Sequence, residues 1–549
     1  MNQEEPQKTK SFPTVLVLFI AALAPRLALL YEYRAGNPYF NAFLLDSEKY
    51  ANWAREIIGG DWIGKGAFYH APLYPYSVAA FFKIFGENYF FLFLFQMVLS
   101  SATAVLLYLI GRDFLNKKTG IIASLIFSFT DVFAFYGLKL LPATLVVFLL
   151  TSFVLVFKRF EDKQGPLPWI FCGILGGLPA LASSNLLLLL PLGVGHFFLC
   201  LQEKAPAKAK KALAFSLGFC LAIFPCALGN YILERDLILV AANGGETFYH
   251  GNNINAAGTY APPPEITASL QFQNEDARKA AERETGRPLG ASEVSRFWFR
   301  KALSFIIEDP RRYLILELQK LHWLVSGTDT SIIYYMNFER NEFTPGLKWF
   351  FMNYALIFPL ALAGLWISMR DWKKNYLLLG AIGIQAATLM AFFVTTRYRL
   401  PLVPFLILFG SHALSLLDRN FFRKGLFYCL LGLSIISLQV YSWEKQLYKP
   451  NTSMLYCNLG YALEDGGKIA EALKVFEMAR KADEKNIVPY LGVISLYARS
   501  GQTSKALEFY KEIYPMMHPR MARETLRDPA LAPIREGISE FLLEQEGKK

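Results

Sequence analysis

Eleven apolar runs divide the first 442 residues, near 13–31, 89–111, 120–137, 141–158, 168–183, 185–201, 212–233, 347–369, 376–395, 400–417 and 425–442. A helix crosses the hydrocarbon core of a bilayer with about 20 apolar residues, or a few fewer at the short end. Backbone polar groups in lipid have to bond internally, so such runs fold as helices. The sequence therefore predicts an all-α, polytopic membrane protein with about eleven transmembrane helices. The count takes 168–201 as two short spans divided at "ASSN" (182–185), although one long tilted element also fits that stretch. The first run is long and is followed by no small-x-small cleavage site, so it reads as a retained span rather than a cleaved signal.

Charge placement tests the count. Only 18% of residues are charged and 54% are hydrophobic, and the charges gather between the apolar runs. With residues 1–12 in the cytoplasm, the loops 112–118, 158–165, 202–211, 370–374 and 418–424 also fall inside, and each holds more Lys and Arg than Asp and Glu. That is the positive-inside bias. It also accounts for much of the formal net charge of +11, so no nucleic-acid partner is needed to explain it. The opposite face receives residues 32–88, 234–346 and everything after 442. Within these, 71–86 and 290–323 are amphipathic and suit the membrane surface. The segment 243–264, rich in Gly, Asn and Pro, suits an ordered loop. Five of the six cysteines lie in apolar segments and none shows a CxxC spacing, which predicts neither a disulfide nor a cysteine metal site.

From residue 450 the pattern changes. At an offset of 34 residues, Gly467 aligns with Gly501, Ala472 with Ala506, Leu473 with Leu507 and Phe476 with Tyr510. Small residues where two helices touch, with a glycine in the turn, resemble a tetratricopeptide repeat. Residues 450–549 are therefore read as an α-solenoid repeat domain behind a transmembrane domain spanning 13–442.

Between the first two long runs lies "LLDSEKYANWAREIIGGDWIGKGAFYHAPLYPYSVAAFFKIFG" (44–86). An acidic residue, Asp46, follows the first span directly. A carboxylate near the membrane surface can act as a general base toward a hydroxyl. Glu48, Asp61 and His70 share its loop. Arg397 and Arg399 lie in a short outer turn, and the planar fork of arginine suits phosphate. Arg26 lies inside the first span, where a charge faces a partner or a cavity. Asp131, in the outer part of the third run, is its candidate partner, and Lys139 occupies a nearby turn. Glu246 and His250 fall in the Gly/Asn-rich segment.

The 44–86 stretch resembles the first outer loop of GT-C glycosyltransferases, and more narrowly the bacterial relatives of protein O-mannosyltransferases and aminoarabinose transferases. The features that carry it are Asp46, Tyr50, Ala54, Gly60-Asp61-Trp62 and Ala71-Pro72-Leu73-Tyr74-Pro75. "GGETFYHGNN" (244–253) and "RYRLPLVPFL" (397–406) extend the likeness. The resemblance implies transfer of a sugar from a polyprenyl-phosphate donor to a hydroxyl acceptor on the extracytoplasmic face, with inversion and with Asp46 as base. It implies donor phosphate at Arg397 and Arg399. Arg26, Tyr50, Asp61, His70, Tyr74, Asp131, Lys139, Glu246 and His250 are pocket candidates. A divalent cation is left open. The expected partners are the donor, the bilayer and an acceptor, such as a protein, recruited by the repeats. The cell inner or plasma membrane is the expected location. The pattern departs from the mannosyltransferases in one respect: they carry adjacent Asp-Glu, whereas Ser47 separates Asp46 from Glu48. On a helix those two carboxylates point about 200° apart, which leaves Glu48 as the secondary acid. The alternatives are a ligase for lipid-linked oligosaccharide and a transporter or flippase of lipid-linked sugar.

Overall fold

The computed structural model describes residues 12–416 and 452–546, apart from 65, 262, 264, 267–272, 332, 518–521 and 524. Among these residues every regular element is helical. The chain begins with α1 (Phe12–Gly36), α2 (Asp46–Ile58), α3 (Leu73–Phe85) and α4 (Tyr89–Ile110), the last continuing as a π-helical turn, Gly111–Leu115. Next come α5 (Lys117–Ser128), α6 (Asp131–Tyr136), α7 (Ala143–Phe160), α8 (Leu167–Ala182), α9 (Leu189–Leu199) and α10 (Ala205–Glu234). The second outer segment holds α11 (Gly244–Gly251), α12 (Gln273–Thr285), α13 (Ala291–Glu308), α14 (Pro310–Val325) and α15 (Met336–Glu342). The apolar helices resume as α16 (Tyr354–Ser368) and α17 (Tyr376–Ala391), followed by a short turn of helix, α18 (Thr396–Arg399), and α19 (Val403–Ser415). The run at 425–442 lies outside the described residues.

Among the described residues, four stretches are long and apolar enough to cross a membrane: α1, α4 with its π-turn, α7 and α10. α3, α8, α17 and α19, and the stretch 184–199 that ends in α9, are shorter apolar helices. On α10, Leu213, Leu217, Leu221, Phe224 and Leu228 are exposed in one stripe. An apolar stripe open to the outside suits lipid. The other side of α10 packs tightly on α8. A Cβ added at Gly173 would lie 2.1 Å from the Phe215 carbonyl oxygen, and one at Gly218 would lie 2.0 Å from that of Ile170. Small residues that let backbones meet are the usual glue between helices in lipid.

The structure divides 168–201 in two, as the sequence count takes it, and alters the third run. The stretch 168–201 forms two helices, α8 and α9, joined by a 3-10 turn at Ser184–Leu188. The third run, 120–137, is broken between α5 and α6. There Met352 N–H donates to the Phe129 carbonyl (3.0 Å) and Asp131 N–H donates to the Met352 carbonyl (3.1 Å). The backbone of another segment thus takes over the hydrogen bonds that a continuous helix would make with itself.

The described residues form two compact units. The first comprises 12–35, 45–340 and 344–416; the second comprises 36–44, 341–343 and 452–546. In the second, helices Thr452–Asp465, Ile469–Ala482, Val488–Arg499 and Thr503–Ile513 follow one another, and Arg535–Glu546 closes the chain. Residues aligned at the 34-residue offset take matching places. Gly467 and Gly501 both have positive φ (73° and 79°) in the interhelical turns. Ala472, Ala506, Phe476 and Tyr510 are all fully buried. Residues 36–44 leave the first outer loop to join this unit, where the turn Pro38–Phe40 packs on Thr452–Asp465.

Candidate active site

α2 is amphipathic in the sense its sequence predicts. Ser47, Tyr50, Ala51, Ala54 and Ile57 are buried while Glu48, Asn52, Arg55 and Glu56 face outward. Asp46 opens the helix, where the dipole favours a carboxylate. Leu45, just before it, has φ 51° and ψ −109°, a backbone conformation that costs a non-glycine residue about 1–3 kcal/mol. The strain sits at the residue that aims Asp46.

Asp46 Oδ2 accepts a hydrogen bond from Arg397 Nη1 at 2.7 Å, and both side chains are mostly buried. Arg397 also donates from Nη2 to the Tyr398 hydroxyl at 2.9 Å. Burial works against the Asp46 carboxylate, but the charge of Arg397 and its hydrogen bond outweigh it. They hold its pKa below the usual value. Burial pushes the His70 imidazole down to about 4 against the pull of Asp46, so His70 is neutral at pH 7. The His70 ring lies against Tyr50 (centroids 6.0 Å) and Tyr69 (4.8 Å). Glu48 is exposed and makes no contact with this group, as the helical spacing predicts.

Arg399 takes a different place from Arg397. It donates to the carbonyls of Trp323 (3.2 Å), Ser326 and Thr328 (3.0 Å) and lies 4.4 Å from the centre of the Tyr354 ring. Its guanidinium thus pins α18 to the chain after α14, and of the two arginines only Arg397 reaches Asp46.

Three charged candidates serve the scaffold. Arg26 makes four hydrogen bonds, to the Ser100 hydroxyl and the carbonyls of Ala22, Phe127 and Ser128. Two of those carbonyls end α5, so Arg26 caps the broken third run at the negative end of its dipole. It does not pair with Asp131, the partner expected from sequence. Asp131 opens α6 and pairs with Arg340 at 3.2 Å. Lys139 forms a fully buried ion pair with Glu339 at 2.7 Å and donates to the Tyr33 hydroxyl at 3.1 Å. The rings of Tyr334, Phe135 and Tyr33 surround its ammonium at 4.4–4.8 Å.

Among the remaining candidates, Tyr50 packs edge-on against Tyr74, whose hydroxyl donates to Gln96 at 2.8 Å. Asp61 accepts from Gly64 N–H and closes a turn. Glu246 is buried and bonds Tyr69. His250 packs on Tyr260 at 5.2 Å, and burial lowers its pKa to about 4. Sequence reasoning passed over Lys49, Tyr69 and Tyr398. Lys49 stands one helical turn after Asp46, and that spacing was the available signal. Among the described residues no group of three or more His, Cys, Asp or Glu side chains is placed to hold a metal ion. A cavity of about 700 Å³ opens between α11, α12 and α13, lined in part by Tyr249, Arg296 and Arg300, and does not include Asp46. Arg397 instead edges a narrow slit with Tyr136, Leu141, Ile333 and Tyr334.

The Lys139–Glu339 pair yields a stability test. Lys139→Met leaves Glu339 buried without its counterion and should destabilise the protein by about 3–5 kcal/mol. Lys139→Met combined with Glu339→Leu should recover most of that loss. Thermal unfolding of purified protein in detergent measures both.

Residues 69–228 match the dolichyl-phosphate-mannose-protein mannosyltransferase family. The matched segment contains His70, Tyr74, Asp131 and Lys139 but neither Asp46 nor Arg397. No curated protein matches the chain by sequence. Among solved structures, the Archaeoglobus fulgidus oligosaccharyltransferase in the apo form is 13% identical with a TM-score of 0.46, covering 85% of this chain and 60% of that one. The same archaeal enzyme, AglB, with an inhibitory peptide and a dolichol-phosphate gives 14% and 0.42, with the same coverage. ArnT from Cupriavidus metallidurans bound to undecaprenyl phosphate gives 13% and 0.37, covering 92% of this chain and 82% of that one. The chain thus spans about 60% of the length of the archaeal enzymes. Across residues 69–228, the chain is similar to the dolichyl-phosphate-mannose-protein mannosyltransferases, a family of glycosyltransferases.

Proposed function

We propose that the chain is a membrane glycosyltransferase that moves a sugar from a polyprenyl-phosphate donor to a hydroxyl acceptor at the extracytoplasmic face, with Asp46 as general base and Arg397 holding the donor phosphate. The observation that carries this reading is the 2.7 Å contact between them. In the proposed reaction both groups serve one anomeric carbon, the base on the acceptor side and the cation on the phosphate side, so this contact is the resting arrangement that an incoming donor parts.

In the reaction the acceptor oxygen attacks the anomeric carbon as its proton passes to the Asp46 carboxylate. The bond from that carbon to the phosphate oxygen breaks, and its electron pair leaves with polyprenyl phosphate. Arg397 stabilises the charge gathering there. A single displacement inverts the anomeric centre. The phosphate also competes for the guanidinium that holds Asp46 ionised. As the donor binds, the hold on Asp46 loosens and its basicity rises. The second unit, with its repeat-like hairpins, is assigned to recruiting a protein acceptor, since such repeats bind peptides on extended concave surfaces.

Four outcomes are expected. Asp46→Asn should lower kcat by about 10²–10⁴-fold while donor binding persists. Arg397→Ala should weaken binding of the polyprenyl-phosphate sugar by about tenfold or more. Transfer from a radiolabelled donor in membranes measures both, and full activity in Asp46→Asn would end the proposal. The pH profile has a required sign. Activity needs ionised Asp46 and is lost as pH falls through its pKa. The free enzyme holds that pKa down, and the donor complex holds it less. The acid limb of kcat/KM should therefore lie at lower pH than the acid limb of kcat. Deleting residues 450–549 should stop modification of a protein acceptor while donor binding remains, and unchanged glycosylation of every target would remove the role given to the repeats.

A further inference from the structure

The motif "GGETFYHGNN" is left without a role by the reaction as written. In the structure it forms α11 and its exit, and nearly every residue in it fixes the helix in place. A Cβ on Gly245 would lie 1.7 Å from the Ser295 carbonyl oxygen, and one on Gly251 would lie 1.9 Å from that of Phe392. α11 is therefore wedged between α13 and the end of α17, with glycine required where the backbones touch. Gly245 N–H donates to the Ser295 hydroxyl at 2.9 Å. Tyr249 stacks on Trp298 with ring centres 5.1 Å apart. The Asn252 amide donates to the carbonyls of Phe248 and Ala391, and its oxygen accepts from the buried ammonium of Lys320 at 2.8 Å.

This bracing holds one side chain that the fold does not use up. Glu246 is 3% exposed. Tyr69, next to His70, is hydrogen-bonded to it, but Glu246 Oε1 has no hydrogen-bond partner among the described residues. Lys49 and Tyr69 each lie within electrostatic reach of both Glu246 and Asp46. The residue before α11, Asn243, meets His70 Nδ1 at 3.4 Å, and the His70 ring packs on Tyr50 of α2, so α11 starts beside the helix that carries the proposed base. Leaving a buried polar atom unpaired costs about 1–3 kcal/mol, more for a charged one, and such atoms in native proteins call for an explanation. A braced scaffold with one orphan acceptor at its tip is what positioning a ligand group requires.

The geometry points to Glu246 as a specificity-determining residue that accepts a hydrogen bond from a ring hydroxyl of the donor sugar, with Tyr69 orienting its carboxyl. This rests on the proposed glycosyl transfer and names the group that reads the sugar. Burial raises the pKa of Glu246 to about 7, well above an ordinary glutamate, so its carboxyl is less charged near neutral pH than an exposed one.

The test uses the full chain in membranes with polyprenyl-phosphate mannose, glucose, galactose and arabinose as donors. Glucose differs from mannose and from galactose in the configuration of one hydroxyl each, and arabinose lacks the hydroxymethyl arm. Wild type should rank them steeply by kcat/KM. Glu246→Ala should compress that ranking by about tenfold or more, chiefly through KM of the favoured donor. Glu246→Gln keeps an acceptor oxygen and should keep the ranking. An unchanged ranking in Glu246→Ala overturns the assignment. So does an equal loss for all four sugars in both variants with a lowered melting temperature, which marks a purely structural role. Asp46→Asn, inactive with every donor, separates the two proposals: if it stays fully active, the reaction reading falls whatever Glu246 does. Should wild type turn over none of the donors, both fall together.

Discussion

The pairing of Asp46 with Arg397 is the contact on which the candidate site is organised. It joins the first turn of α2 to the single turn of α18, 351 residues apart in the chain. An ion pair this secluded from water stabilises only when both partners are held in good geometry, and losing one leaves the other costly. Both ends are held accordingly. α2 buries one face and is entered through the strained Leu45. α18 is fixed by Arg399, which binds the carbonyls of Trp323 at the end of α14 and of Ser326 and Thr328 just after it. The other arginine of "RYR" therefore places Arg397.

That division of labour within three residues shows why the sequence disclosed the site only in part. Asp46 was singled out by the likeness of 44–86 to the first outer loop of GT-C glycosyltransferases, since an aspartate alone in a loop is usually just exposed. Arg397 and Arg399 were indistinguishable, since both are arginines in an outer turn, and their separation depends on where carbonyls more than seventy residues away fall. The apolar runs disclosed the helical class directly, because lipid leaves the backbone no other choice. The break in the third run was hidden for a related reason. Its hydrogen bonds are replaced by Met352 and Arg26, and nothing in the composition of 120–137 records a partner so distant. In the tail, the offset of 34 residues was visible because both copies need a glycine at positive φ and small residues at the helix contact. The enlistment of residues 36–44 into that unit had no local signal at all.

The buried charges also sort by how much of their bonding capacity the protein itself consumes. Arg26 gives four hydrogen bonds to one hydroxyl and three carbonyls. Lys139 meets both oxygens of Glu339, the Tyr33 hydroxyl and three ring faces. Such groups have little left to offer a ligand and are explained by the helix ends and loops they tie. Asp46 is bonded at Oδ2, and Glu246 keeps an orphan oxygen. In a low-dielectric interior, capacity left over is expensive, so it persists where something transient repays it. On the proposed reaction, Asp46 and Glu246 are where that capacity is used, the first by the acceptor hydroxyl and the second by the donor sugar, whereas the more conspicuous charges inside the apolar helices are consumed by the protein itself.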